Sequence, residues 1–101
     1  MQLTAITIKW GLLQHPRPII AISPIDEGCF MPLLTHLAQT YHFPMPSVTD
    51  RITGYFANFK IEGKWGSLDI DTYDFMLIFK DAALRDRVLS HLMTVADEVC
   101  R

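Results

Sequence analysis

Three aspartates are the first residues whose spacing could do chemistry. Asp69 and Asp71 stand two apart, with Asp74 close behind. On a strand, residues two apart share a face at about 7 Å, near enough for two carboxylates to hold a hard cation or for one to raise the other's pKa. Asp-x-Asp on the outer side of a hairpin is more commonly plain solvation, and Asp74 suits a turn. The four histidines are His15, His36, His42 and His91. A zinc site wants three or four converging ligands, and paired helical ligands typically sit four apart, whereas His36 and His42 sit six apart. No metal is expected. His15 lies beside Arg17 in a proline-containing stretch, and loops carry function more often than helix faces do.

Cys29 stands before a helical pattern, where a helix N-terminus favours thiolate, but Asp26 and Glu27 oppose it by like charge. Cys29 and Cys100 are too few for a disulfide scaffold and lack metal-site spacing, so both are expected as reduced thiols in a cytoplasmic protein. The chain has no GxGxxG, Walker loop, HExxH, CxxC or GxSxG, and its five glycines are too scattered for a phosphate-cradling loop. No cofactor is expected, and a catalytic role is not favoured.

The elements that must position these residues follow from hydrophobic spacing. Residues 3–10 alternate in part, with Ile6, Ile8 and Trp10 against Thr7 and Lys9, which predicts a strand. The stretch 14–17, before the apolar run 18–22, is expected to be a loop because residues 11–18 carry one glycine and two prolines. The Ile-rich run itself suits a strand buried on both faces. Phe30, Leu34, Leu37 and Tyr41 recur at helical spacing within residues 26–41, leaving Thr35, His36 and Gln39 toward solvent. Pro32 is tolerated only in a first turn, which moves the helix start toward Phe30. The two prolines of residues 43–47 cannot continue a helix, and residues 48–54 read as loop running into strand.

Residues 55–62 and 65–72 both alternate, around a Gly63-Lys64 pair suited to a type II′ hairpin turn. That turn pairs Glu62 with Trp65, Phe59 with Leu68 and Ala57 with Ile70. A second tight turn at Tyr73-Asp74 pairs Ile70 with Leu77 and Leu68 with Phe79. Both pairings collect the core residues on one face. They leave Phe56, Met76 and Ile78 on the other, beside Asp69 and Asp71. Asp81 can cap a last helix from Ala82 to about Cys100, striped by Val88, Leu92, Val95 and Val99. Arg85 falls on that stripe, with its stem covering apolar surface and its charge reaching out toward Asp81.

The order strand, strand, helix, strand, strand, strand, helix predicts a two-layer α+β sandwich. Two helices would cover one face of a mainly antiparallel sheet of four to five strands, loosely ferredoxin-like. Its 101 residues predict a single domain. A net charge of −2 argues against nucleic-acid phosphates as partner, and no apolar run is long enough to span a membrane. Half the residues are hydrophobic, and the helix stripes and one sheet face do not absorb them all. The expectation is therefore a small non-enzymatic interaction or regulatory domain, with a protein partner or a second copy as in a homodimer. Its candidate contact residues are Phe56, Met76, Ile78, Trp65, Asp69 and Asp71. The alternative is a small-ligand-binding or enzymatic domain with a pocket at the sheet–helix or dimer seam. There His15, Arg17, Asp69 and Asp71 would come first.

Overall fold

A computed structural model describes residues 1–10 and 15–100, with the side chains of Lys9, Trp10 and His15 outside the description. The order is β1 (Gln2–Trp10), β2 (His15–Ser23), a 3-10 turn (Glu27–Cys29), α1 (Phe30–Tyr41), β3 (Thr49–Arg51), β4 (Gly54–Ile61), β5 (Lys64–Ile70), β6 (Phe75–Phe79) and α2 (Ala82–Val95). The strands make one antiparallel sheet in the order β1-β2-β6-β5-β4-β3. The α+β class and the two helices stand as expected, but the sheet has six strands. Its order, a hairpin followed by a four-strand meander, is not ferredoxin-like.

Both helices lie on the same face. Phe30, Leu33, Leu34 and Leu37 of α1, with Leu84, Val88 and Leu92 of α2, close over Ile20, Ala57, Phe59, Leu68, Ile70, Leu77 and Phe79. The sheet residues are alternate positions, so period-two patterning sends one set under the helices and the other away from them. Asp26 caps the 3-10 turn by accepting from the Gly28 N–H at 2.9 Å, and Pro32 falls in the first turn of α1. Asp81 caps α2 by accepting from the Leu84 N–H at 2.8 Å. It also pairs with Lys64 at 2.9 Å, and that contact, then the capping bond, holds its carboxyl below the usual range. The regular helix ends at Val95, earlier than expected, and continues as turns.

Three local expectations are corrected. The first concerns His15, Pro16 and Arg17, which belong to β2 and not to a loop: each pairs with β1, from Trp10↔His15 to Ile8↔Arg17. Gln14 lies outside the described residues. Proline's missing N–H shows elsewhere, because the β2–β6 ladder covers Ile19–Ala21 and stops short of Pro18.

The second concerns register. The observed pairs are Ile61↔Lys64, Phe59↔Gly66, Ala57↔Leu68 and Tyr55↔Ile70, then Ile70↔Phe75 and Leu68↔Leu77. Each hairpin is shifted by two residues from expectation, which leaves every side chain on its expected face. The turn residues are Glu62 and Gly63, both with positive φ at 53° and 77°, as a type I′ turn requires. Arg87 holds Glu62 there through two hydrogen bonds of 2.8 and 2.9 Å. This register also sets the Phe59 ring over Gly66, where a Cβ would lie 2.6 Å from the ring. Asp71 caps the second turn by accepting from the Tyr73 and Asp74 N–H groups at 2.8 Å. It is a turn residue, and a tight two-residue turn does not form.

The third is covalent. Cys29 and Cys100 are joined as a disulfide, with Cα atoms 4.9 Å apart, in place of the expected free thiols. Because both helices lie on one face, the start of α1 and the turns after α2 come together at a separation ordinary for a bridged pair.

Candidate functional site

The face away from the helices is built in cross-strand rows. One row runs Ile8, Arg17, Lys80, Trp65, Lys60 from β1 to β4. The next runs Ile6, Ile19, Ile78, Ser67, Asn58, and the third Thr4, Ala21, Met76, Asp69, Phe56, Thr49. Neither helix reaches this side. Phe56, Met76, Ile78, Asp69 and Trp65 therefore share one face, and Asp71 lies at the turn beyond it.

Their exposures differ in a way that matters. Ile78 and Ile19 are 6% and 0% exposed, so Ile78 presents little surface on this face. Ile6 and Trp65 are each 37% exposed, and Ile8, Met76 and Phe56 are half-buried. Reading the sequence missed Ile6, Ile8 and Arg17 as members of this face. The alternation of residues 6, 8 and 10 was visible, but its direction relative to Met76 was not.

Asp69 is already paired on this face. It accepts from Arg51 at 2.9 Å and from the Ser67 hydroxyl, and the same Arg51 guanidinium sits 4.8 Å from the centre of the Phe56 ring. Asp71 spends an oxygen on its own turn. Among the described residues no group of three or more His, Cys, Asp or Glu comes together. Arg17 lies in the first row and Asp69 in the third, so the polar residues of the enzymatic alternative do not converge, and the His15 side chain lies outside the description. Arg85 turns to Asp86 at 2.6 Å and to the Ile6 carbonyl at 2.9 Å, not to Asp81 through its side chain.

On the helical side, His36 does not face solvent alone. Its Nε2 lies 2.8 Å from His91 Nε2, with Thr40 Oγ1 at 3.4 Å. The ring planes are 10° apart and the centroids 5.1 Å apart, so the two nitrogens point at each other along one line. That is one N–H···N bond. A zinc ion needs about 2.0–2.1 Å to each nitrogen and cannot sit between them. Burial, then the charge of His91, pushes the His36 pKa down. The unfolded chain therefore takes up protons that the folded pair resists. The stability this contributes is present above 6.5, the ordinary histidine value, and is lost as pH falls through it toward the depressed folded value. Urea midpoints measured between pH 7.5 and 5 should fall, and His36→Gln should flatten the fall. An equal slope in both proteins would remove the pair as its source.

Two grooves border these features. One, of about 490 Å³ between the helices, is lined by Met31, Thr35, His36, Gln39, Val95 and Glu98. The other, of about 460 Å³, lies between the 43–46 segment and β4, with Met45, Phe59, Lys60 and Trp65 in its wall. No helix among the described residues is long and apolar enough to cross a membrane. No protein-family model, no curated protein and no solved structure matches the chain.

Proposed function

We propose that this chain is a non-enzymatic interaction or regulatory domain that binds another protein through the side of the sheet opposite its helices. One observation carries the reading. A six-stranded sheet has both helices on one face, while Ile6, Ile8, Met76, Phe56 and Trp65 span the other with neither helix over them. An apolar face of that kind on a small domain usually has an occupant.

Charge argues for a different protein over a second copy. On this side Asp69 is paired with Arg51 and Asp71 gives one oxygen to its own turn, whereas Arg17, Lys60 and Lys80 have no ion-pair partner among the described residues. Two copies stacked face to face would bring these cations Asp69, already paired with Arg51, and Asp71 only at the margin of the face. A partner with acidic groups supplies free carboxylates. The small-ligand alternative gains little from the groove between the helices, because its histidine already spends Nε2 on His91. A disulfide also removes the thiol argument for a cytoplasmic location.

Photo-crosslinkers placed at Ile6 and at Met76, in the cells that make the protein, should yield one defined protein adduct. A crosslinker at Gln39, on the helical side, should not. Adducts from Gln39 alone would overturn the reading. An adduct of two copies would replace the acidic partner with a homodimer.

A further inference from the structure

The two edges of the sheet are not alike. Along β1, Arg85 reaches across from α2 and donates Nη1 to the Ile6 carbonyl, so a charged side chain stands at the middle of that edge. Charged guards of this kind discourage strand pairing. Along β4 the flanking strand β3 is short and pairs only with Gly54, Tyr55 and Phe56. Beyond Phe56 no strand among the described residues lies against the outer side of β4.

Backbone groups alternate sides along an antiparallel ladder. The two-residue turn makes Ile61↔Lys64 a hydrogen-bonded pair, so Phe59 and Ala57 also bond toward β5. The N–H and C=O groups of Asn58 and Lys60 then point outward, and no backbone group elsewhere in the described chain meets them. Directly beside them runs the groove walled by Met45, Phe59 and Trp65. Cations complete the picture. Arg51, Lys64, Arg85 and Arg87 each hold a carboxylate. Among the described residues Arg17, Lys60 and Lys80 do not, and they share one cross-strand row with Trp65, whose ring lies 6.0 Å from the Arg17 guanidinium carbon.

We propose that the outer edge of β4 accepts an extended acidic polypeptide segment as an added strand. The exposed groups of Asn58 and Lys60 would pair its main chain, and the groove would take alternate apolar side chains. Lys60 would meet its carboxylates directly, with Lys80 and Arg17 extending the positive field behind. The inference rests on the open side being the binding side, and adds the mode of binding and the chemistry of the partner. Cations beside a tryptophan also attract single-stranded nucleic acid. The outward C=O groups, however, need donors, which a peptide main chain supplies and a DNA sugar-phosphate backbone, with acceptors alone, does not.

The test uses the full chain and a short fluorescein-labelled peptide of alternating Glu and Val, read by anisotropy and by amide NMR. The peptide should bind, shift the Asn58 and Lys60 amides, and lose roughly tenfold in affinity against Lys60→Glu/Lys80→Glu. The milder Lys60→Gln/Lys80→Gln pair, checked for native NMR dispersion, should lose less. No binding of the peptide, equal binding of a Lys–Val peptide, or preference for oligo-dT would overturn the proposal. So would shifts confined to Ile6 and Met76, which would leave the open face standing as the binding side and remove only its edge.

Discussion

Reduction of the Cys29–Cys100 bond is expected to lower the stability of the fold by about 3–4 kcal/mol. The two cysteines are separated by 71 residues, so the bond closes most of the chain into one loop and withdraws a large share of the unfolded state's freedom. For a chain of about this size that loss corresponds to roughly 15 °C in melting temperature. Thermal melts with and without dithiothreitol should show it, and Cys29→Ala/Cys100→Ala should melt near the reduced protein and ignore the reductant. Equal melting of the oxidised and reduced protein would mean that the closed loop contributes nothing. Cys29 is buried in the core whereas Cys100 is only partly buried against it, so a single Cys29→Ala adds a larger packing loss than Cys100→Ala.

The second large effect is expected at Gly54, the first residue of β4. A Cβ there would land on the Ile70 carbonyl and against the Asp71 Cα, both of them backbone. No side chain can rotate to make room, so Gly54→Ala must displace β4 from β5 at the point where β3 also attaches. A cost of about 3 kcal/mol is expected, at the upper end for inserting a single group into a packed interior. Gly63→Ala makes the useful contrast. It has open space around it and suffers only from its positive φ, an expected cost of about 1 kcal/mol. Urea denaturation of the two variants should order them Gly63→Ala above Gly54→Ala. The reverse order would show that the close approach to Ile70 relaxes easily.

Which residues lie on which face could be read from the sequence, and which residues lie opposite one another could not. Tyr55, Ala57, Phe59 and Ile61 point to the helices as their alternation predicts. The same alternation is satisfied by any shift of two residues. The decision fell to Glu62, which takes a left-handed backbone that its residue type does not advertise, supported by Arg87 from a distant helix. Gly66 beneath Phe59 was a usable signal, because a glycine inside a strand marks a close approach. Prolines 16 and 18 suggested a loop, yet β2 tolerates them where β6 does not reach. The disulfide was also within reach, since two cysteines can pair within the chain in only one way.

The candidate site was legible only in part, for a reason of topology. Phe56, Met76 and Asp69 were placed together correctly because they lie on consecutive strands of a meander. Arg17, Lys60 and Lys80 are far apart in the sequence, and they meet only because β6 slots in beside β2. Nothing local to any of the three announces that row. The His36–His91 pair is invisible for the same reason: it depends on which sides of two helices come to face each other.

The disulfide also divides the molecule mechanically. Everything from α1 to α2 lies inside the covalent loop, whereas β1, β2 and the short lead to Cys29 lie outside it. Pulled by its two ends, the oxidised chain can pay out only those first residues, about 100 Å of contour, before the tension passes straight from Cys29 to Cys100. The reduced chain would run to roughly 350 Å. β2 is the strand that would leave, unzipping from between β1 and β6. It carries Arg17 and Ile19 with it, so a tug on the N-terminus would dismantle the basic row while the helices and the meander stay shut.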